Sequence, residues 1–81
     1  MQVRQLTMQH KEGLRATNAA RFVQVTSMFS SAILVEKDEK KVDAKSNLGM
    51  LVLDIRYQDT VMVYIDGDDE NEAAAAIEVF F

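Results

Sequence analysis

Between Thr60 and Phe80 the spacing of apolar residues changes from every second position to every third or fourth, and few folds accommodate that change. Val61, Val63 and Ile65 alternate with Thr60, Met62 and Tyr64, the period of a strand buried on one side. Gly67 and Asp68 turn the chain. From Asp69 to Phe80 a stripe of Ala73, Ala76, Ile77 and Phe80 marks a helix with acidic residues in its first turn. The run Ala73 to Ala76 is strong helix former and needs no further reading. A strand followed at once by an amphipathic helix predicts a sheet covered by helices.

The rest of the chain repeats this grammar. Val3 to Met8 reads as a strand, with Leu6 and Met8 on one face and Gln5 and Thr7 on the other; His10 to Gly13 is a loop. From Ala16 to about Ser27, Ala19, Phe22, Val23, Thr26 and either Met28 or Phe29 recur at helical spacing. Thr17 and Asn18 near its start are of capping type. Ala32 to Glu36 reads as a strand with Ile33 and Val35 inward. Lys37 to Lys40 turns into a short strand, Lys41 to Ala44, although Glu39 occupies a position where a two-residue hairpin prefers glycine. The period of Asn47 to Leu53 fits a strand or a short buried helix, and Ser46 as an N-cap favours the helix. The order β-α-β-β-α-β-α gives an α+β fold: a four-stranded antiparallel sheet, helices on a single face, the other face in solvent. Leu34 and Met62 would form a weakly apolar patch on that second face.

Eighty-one residues suffice for one domain, taken here as 1–81. Without cysteine there can be no disulfide, thiolate metal site or cysteine nucleophile, and a single histidine leaves little acid–base chemistry near neutral pH. A net charge of −4 argues against nucleic-acid binding. The longest apolar stretches, 48–53, 61–65 and 73–77, fall far short of the roughly 20 residues of a membrane span. The first ten residues hold no signal-peptide run, so the cytoplasm is the expected location. Asp66 to Glu72 carries five of the thirteen acids, but its glycine is misplaced for a calcium loop and the distant glutamate is missing. No metal or cofactor is expected.

One segment goes further. Gly13-Leu14-Arg15-Ala16-Thr17-Asn18-Ala19-Ala20 resembles the HPr family, the small phosphocarriers of the bacterial sugar phosphotransferase system, which read Gly-Leu-His-Ala-Arg-Pro-Ala-Ala here. The similarity continues through Phe22-Val23-Gln24, Glu36-Lys37-Asp38, Lys40-Lys41-Val42, Ala44-Lys45-Ser46, Gly49 and Gly67 to Glu70. The resemblance implies an open-faced β-sandwich with sheet order 1-4-2-3 and three helices on one face. Ala44-Lys45-Ser46-x-x-Gly49 is the pattern of the Gram-positive branch.

The departures decide the chemistry. The family's phosphoacceptor histidine falls at Arg15, its supporting arginine at Thr17 and a proline at Asn18. A guanidinium is protonated at every accessible pH and offers no lone pair to phosphorus, so the histidine relay is expected to be lost. This is similar to the catabolite-repression HPr-like group that lacks the histidine. His10 precedes the same helix, as a substitute nucleophile or a plain loop residue; its spacing supplies no partner. Arg15 is either an anion grip at a helix start or a solvated arginine.

Ser46 is the candidate for modification. The resemblance implies phosphorylation there by HPr kinase/phosphorylase, after which the protein binds a catabolite-control transcriptional regulator. A phosphate would meet the positive end of a helix with Lys45 beside it; read from sequence alone, a serine there is more often only a cap. Asn47 replaces a residue that is usually apolar in the family. Leu48, Met50 and Leu51 either extend an exposed patch beside the first helix or join the core, Leu51 or Leu53 being the better candidate for burial. The implied partner surface is Arg15, Thr17, Ala20, Ser46, Asn47, Leu48 and Leu51, facing the kinase, the regulator and phosphotransferase-system proteins; no enzymatic activity, direct nucleic-acid contact or membrane contact is expected. Alternatives are an unmodified paralogue that competes for the same partners, or an atypical phosphocarrier. Phe80 fits the core stripe, while Phe81 is either exposed or an oligomer contact.

Overall fold

The computed structural model describes residues 1–81. Its elements are β1 (Gln2–Thr7), α1 (Ala16–Ser27), β2 (Ala32–Lys37), β3 (Lys40–Asp43), α2 (Asn47–Leu53), β4 (Thr60–Asp66) and α3 (Glu70–Phe80). The four strands form one antiparallel sheet in the order β1-β4-β2-β3. β4 lies inside the sheet, and Val61, Val63 and Ile65 on one side of it are buried. The register sets Leu6 against Val61, Val35 against Val63 and Ile33 against Ile65, so each apolar set faces the helices together. Val3, Gln5, Thr7, Ala32 and Leu34 point the other way and are exposed. The open face is therefore solvated, as alternation requires. Its weak apolar patch has polar cover: the Tyr64 hydroxyl donates to Glu36 at 2.6 Å and the Lys41 ammonium lies 4.7 Å above the Tyr64 ring. That bond to the Glu36 carboxylate raises the Tyr64 pKa.

Phe22, fully buried, is the hub between α1 and α3, with Phe80 and Phe81 ring centroids 5.3 and 5.8 Å away, both edge-on. Phe81 is only 8% exposed, which corrects the expectation that it stays free or serves an oligomer contact. The buried stripe of α3 is Ala73, Ala74 and Ile77, with Ala76 and Phe80 half-buried. A run of four alanines carries no phase information, and the structure buries Ala74, two residues before the expected Ala76. Met28 is exposed, and Phe29 is the residue that packs on the core.

The β2–β3 hairpin forms despite its awkward tip. Asp38 and Glu39 adopt φ of 52° and 70°, both left-handed, the geometry of a type I′ turn. The Val35 to Val42 pairing holds this turn in place, outweighing the steric cost at a non-glycine residue.

β1 is fastened to α3 along its length. Gln2 Nε2 donates to Asn71 Oδ1 at 2.8 Å, and Arg4 Nε donates to Glu78 Oε1 at 2.6 Å. Past the strand, the Gln9 N–H donates to the Phe81 carbonyl at 3.2 Å and His10 Nε2–H to the Phe80 carbonyl at 2.6 Å. At the other end of α3, Asp69 accepts from the Ser30 and Ser31 N–H groups and the Ser31 hydroxyl. These three donors, the hydroxyl foremost, hold the Asp69 pKa down at about 2.

Candidate functional site: the starts of two antiparallel helices

Residues 13–16 fix how α1 begins. Leu14 is fully buried, and its N–H donates to the Ile55 carbonyl at 2.8 Å. Gly13, at φ 69°, passes so close that a Cβ there would sit 2.5 Å from the same carbonyl oxygen. Arg15 follows as an extended N-cap residue at φ −132°, and Ala16 at φ 46° is left-handed. No side chain caps α1, which corrects the reading of Thr17 and Asn18 as caps. The Asn18 amide reaches backward instead, to the Gly13 carbonyl at 3.2 Å and Glu12 Oε1 at 3.4 Å. Arg15, Thr17 and Ala20 are exposed.

α2 starts differently. Ser46 Oγ accepts the Gly49 N–H at 3.0 Å and the Ser46 carbonyl accepts the Met50 N–H at 3.0 Å, so the serine is the expected N-cap. Ser46 is half-buried, Asn47 exposed. Lys45 does not accompany the Ser46 hydroxyl: its Nζ donates to the Phe29 carbonyl at 2.7 Å, beyond the end of α1. Together with Thr26 Oγ1, which donates to Ala44 O at 2.7 Å, this joins the end of α1 to the start of α2. At the opposite end, Arg15 Nε stands 3.9 Å from Asp54 Oδ1, just past α2. The helices are thus antiparallel, and about 10 Å of helix separates Ser46 from the Arg15 end.

Between those ends α2 presents Leu48 (71% exposed), Leu51 and Val52 to solvent, while Met50 and Leu53 are buried. Met50 is therefore core, not surface, and of the pair Leu51 and Leu53 it is Leu53 that goes inward. Val52 is an exposed member that the sequence reading passed over; its i+4 spacing from Leu48 was the available signal.

A charged corner that the sequence did not announce lies beside this stripe. Asp54, left-handed at φ 51°, meets Arg56 Nη2 at 2.9 Å and Nε at 3.0 Å. Lys37 Nζ contacts Asp59 Oδ2 at 2.8 Å and donates to the Asp54 carbonyl. Arg56 holds the Asp54 carboxyl below its ordinary pKa, and Lys37 followed by the Arg56 N–H does the same for Asp59. With Arg15 beside Asp54, three cations meet two carboxylates and leave this corner cationic. His10 is not part of it; its imidazole bonds to the last turn of α3. No three His, Asp or Glu side chains converge to hold a metal ion. No helix is long and apolar enough to cross a membrane.

The surface is thus two helix starts bordering an exposed apolar stripe, beneath an open-faced sheet in the order β1-β4-β2-β3. The family profile described as "PTS HPr component phosphorylation site" matches residues 2–81. The "HPr-like protein Crh" of Halalkalibacterium halodurans is 43% identical over 77 residues, 95% of this chain and 92% of that protein. Among solved structures, HPr-C-His from Thermoanaerobacter tengcongensis superposes with a TM-score of 0.92 at 45% identity, covering 95% of this chain and 86% of that one. Bacillus subtilis Crh, described as an intertwined dimer with a swapped domain, gives 0.72 at 38% identity over 93% of this chain and 91% of that one. The chain belongs to the HPr family of the phosphotransferase system, whose members are phosphocarrier or regulatory proteins and not enzymes.

Proposed function

We propose that this chain, acting as one unit over residues 1–81, is an HPr-like regulator in carbon catabolite control that has lost the histidine relay. Its place of work is the cytoplasm. Ser46 accepts phosphate from HPr kinase/phosphorylase, and the modified surface of Ser46, Asn47, Leu48, Leu51, Arg15, Thr17 and Ala20 is read by a catabolite-control transcriptional regulator.

The observation that carries the reading is Arg15. It stands at the family's phosphoacceptor position with a protonated guanidinium, which has no free lone pair to take the place of an imidazole nitrogen in the relay, close to Asp54. Ser46 supports it by retaining a hydroxyl at the start of α2, its oxygen engaged only by the Gly49 N–H. Modification would add close to two negative charges beside exposed Leu48 and change what the stripe attracts. Incubation with HPr kinase and ATP, followed by intact-mass and fragment analysis, is expected to show one phosphate on Ser46. An unmodified chain beside a working control rejects the reading. Phosphoenolpyruvate with enzyme I is expected to load nothing, and an acid-labile phosphohistidine would restore the chain to the carriers.

A second reading has its own support. Leu48, Leu51 and Val52, with Arg15 and Arg56 of the cationic corner, are exposed without any modification, so the chain can also compete for phosphotransferase-system partners as it stands. Titration of the unmodified protein against enzyme I or a sugar-permease A domain separates the two. Tight binding favours the competitor.

A further inference from the structure

On the far side of α1 from α2 lies an open groove of about 450 Å³ whose lining is entirely apolar. Val25 of α1 and Met28 just past its end contribute one wall; Ala75, Ala76 and Val79 contribute the other from α3. Val79, 87% exposed, and Met28, 76% exposed, are the two most exposed large apolar residues of the chain. Neither belongs to the surface proposed above. Water against both walls is unfavourable, and a groove of this kind is where a partner element gains most from docking.

The charges at its ends say what fits. α1 and α3 run antiparallel: Phe22 meets Phe80 and Phe81 edge-on, while Ser30 and Ser31 past the end of α1 bind Asp69 before the start of α3. Arg21 stands four and seven residues before Val25 and Met28, hence on their stripe, at one end of the groove. Glu72 stands four and seven residues before Ala76 and Val79, hence at the other end. Both are exposed and neither forms an ion pair within the chain. A surface with an unpaired cation at one end, an unpaired anion at the other and an apolar middle is complementary to itself when turned through 180°.

We infer that this groove is a homodimer interface, the occupant being the same groove of a second copy across a two-fold axis. The axis crosses the groove near its middle, so α3 packs antiparallel on the partner's α3. Val79 of each copy then enters the hollow left by the small side chains of Ala75 and Ala76 in the other, and Arg21 of each approaches Glu72 of the other. The patch is small, so association is weak, with a dissociation constant on the order of 0.1 to 1 mM. The face bearing Ser46 and Leu48 stays free in such a dimer.

Sedimentation over a concentration series tests this on the intact chain, with circular dichroism confirming that each variant folds. The wild type is expected to show a rapidly reversible monomer–dimer equilibrium. Val79→Lys, at an exposed position that leaves the core alone, is expected to weaken it at least about tenfold. Arg21→Glu and Glu72→Arg should each weaken it about threefold or more, and the double reversal should return to within about twofold of wild type. A wild type monomeric to several mM overturns the proposal and leaves the groove to a helix of another protein. A dimer indifferent to Val79→Lys, or a double reversal no better than the single variants, overturns it equally, since strand exchange or another surface would then be responsible.

Discussion

α2 begins with its own serine folded back on the backbone, Ser46 Oγ taking the Gly49 N–H, whereas α1 begins with no side chain over its N–H groups. Buried Leu14 and the close passage of Gly13 under Ile55 hold α1's start instead. The difference teaches which position is chemically free. An anchor made by Leu14 and Gly13 leaves residue 15 outside the folding requirement, so a histidine can become an arginine without disturbing the helix. Ser46 has no such freedom, because the hydroxyl proposed to be modified is also the cap.

Removing the anchor is the strongest way to break this contrast. Leu14→Ala empties a fully buried site and is expected to cost about 2–5 kcal/mol in urea or thermal unfolding. Gly13→Ala combines a left-handed φ with a Cβ pressed on the Ile55 carbonyl oxygen, and about 1–3 kcal/mol is expected by the same measurement. A third helix start responds to pH. The Asp69 pKa of about 2 in the fold lies below its unfolded value of 3.8, so the stability it contributes is present above about pH 4 and is lost as pH falls toward 2. Acid unfolding of Asp69→Asn should lack that portion of the pH dependence; a profile identical to wild type would show that Asp69 is not its source. Ser46→Ala removes a cap and should cost about 1 kcal/mol. Thr17→Ala, on an exposed residue that caps nothing, should stay within about 0.5 kcal/mol. If Thr17→Ala proves as costly as Ser46→Ala, the two helix starts are alike after all.

The strands and the apolar faces were legible because alternation and helical stripes record which side of each element is buried, as at Val61, Val63 and Ile65. How α1 is capped was not, since Thr17 and Asn18 have good local propensity and the tertiary position of Leu14 overrides it. Phe81 continues the buried stripe of Ala74 and Ile77 by one more i+4 step, its N–H donating to the Ile77 carbonyl; a stripe phased on Ala76 and Phe80 left it outside. At the candidate site the residue types at 15 and 46 could be read directly, because their chemistry is their own. The corner of Lys37, Asp54, Arg56 and Asp59 could not, since it joins the end of β2 to residues after α2 and no spacing records such a meeting. Lys45, expected beside the Ser46 hydroxyl, is held instead by the carbonyl of Phe29.

The ties between the first strand and the last helix carry a kinetic consequence. Gln2 and Arg4 of the strand, with Gln9 and His10 just past it, grip α3 from Asn71 to Phe81, so peeling the strand from the sheet also breaks its ties to that helix. The two termini of the chain open and close as one cooperative unit, and amide protons in β1 and α3 should exchange with solvent at a common rate.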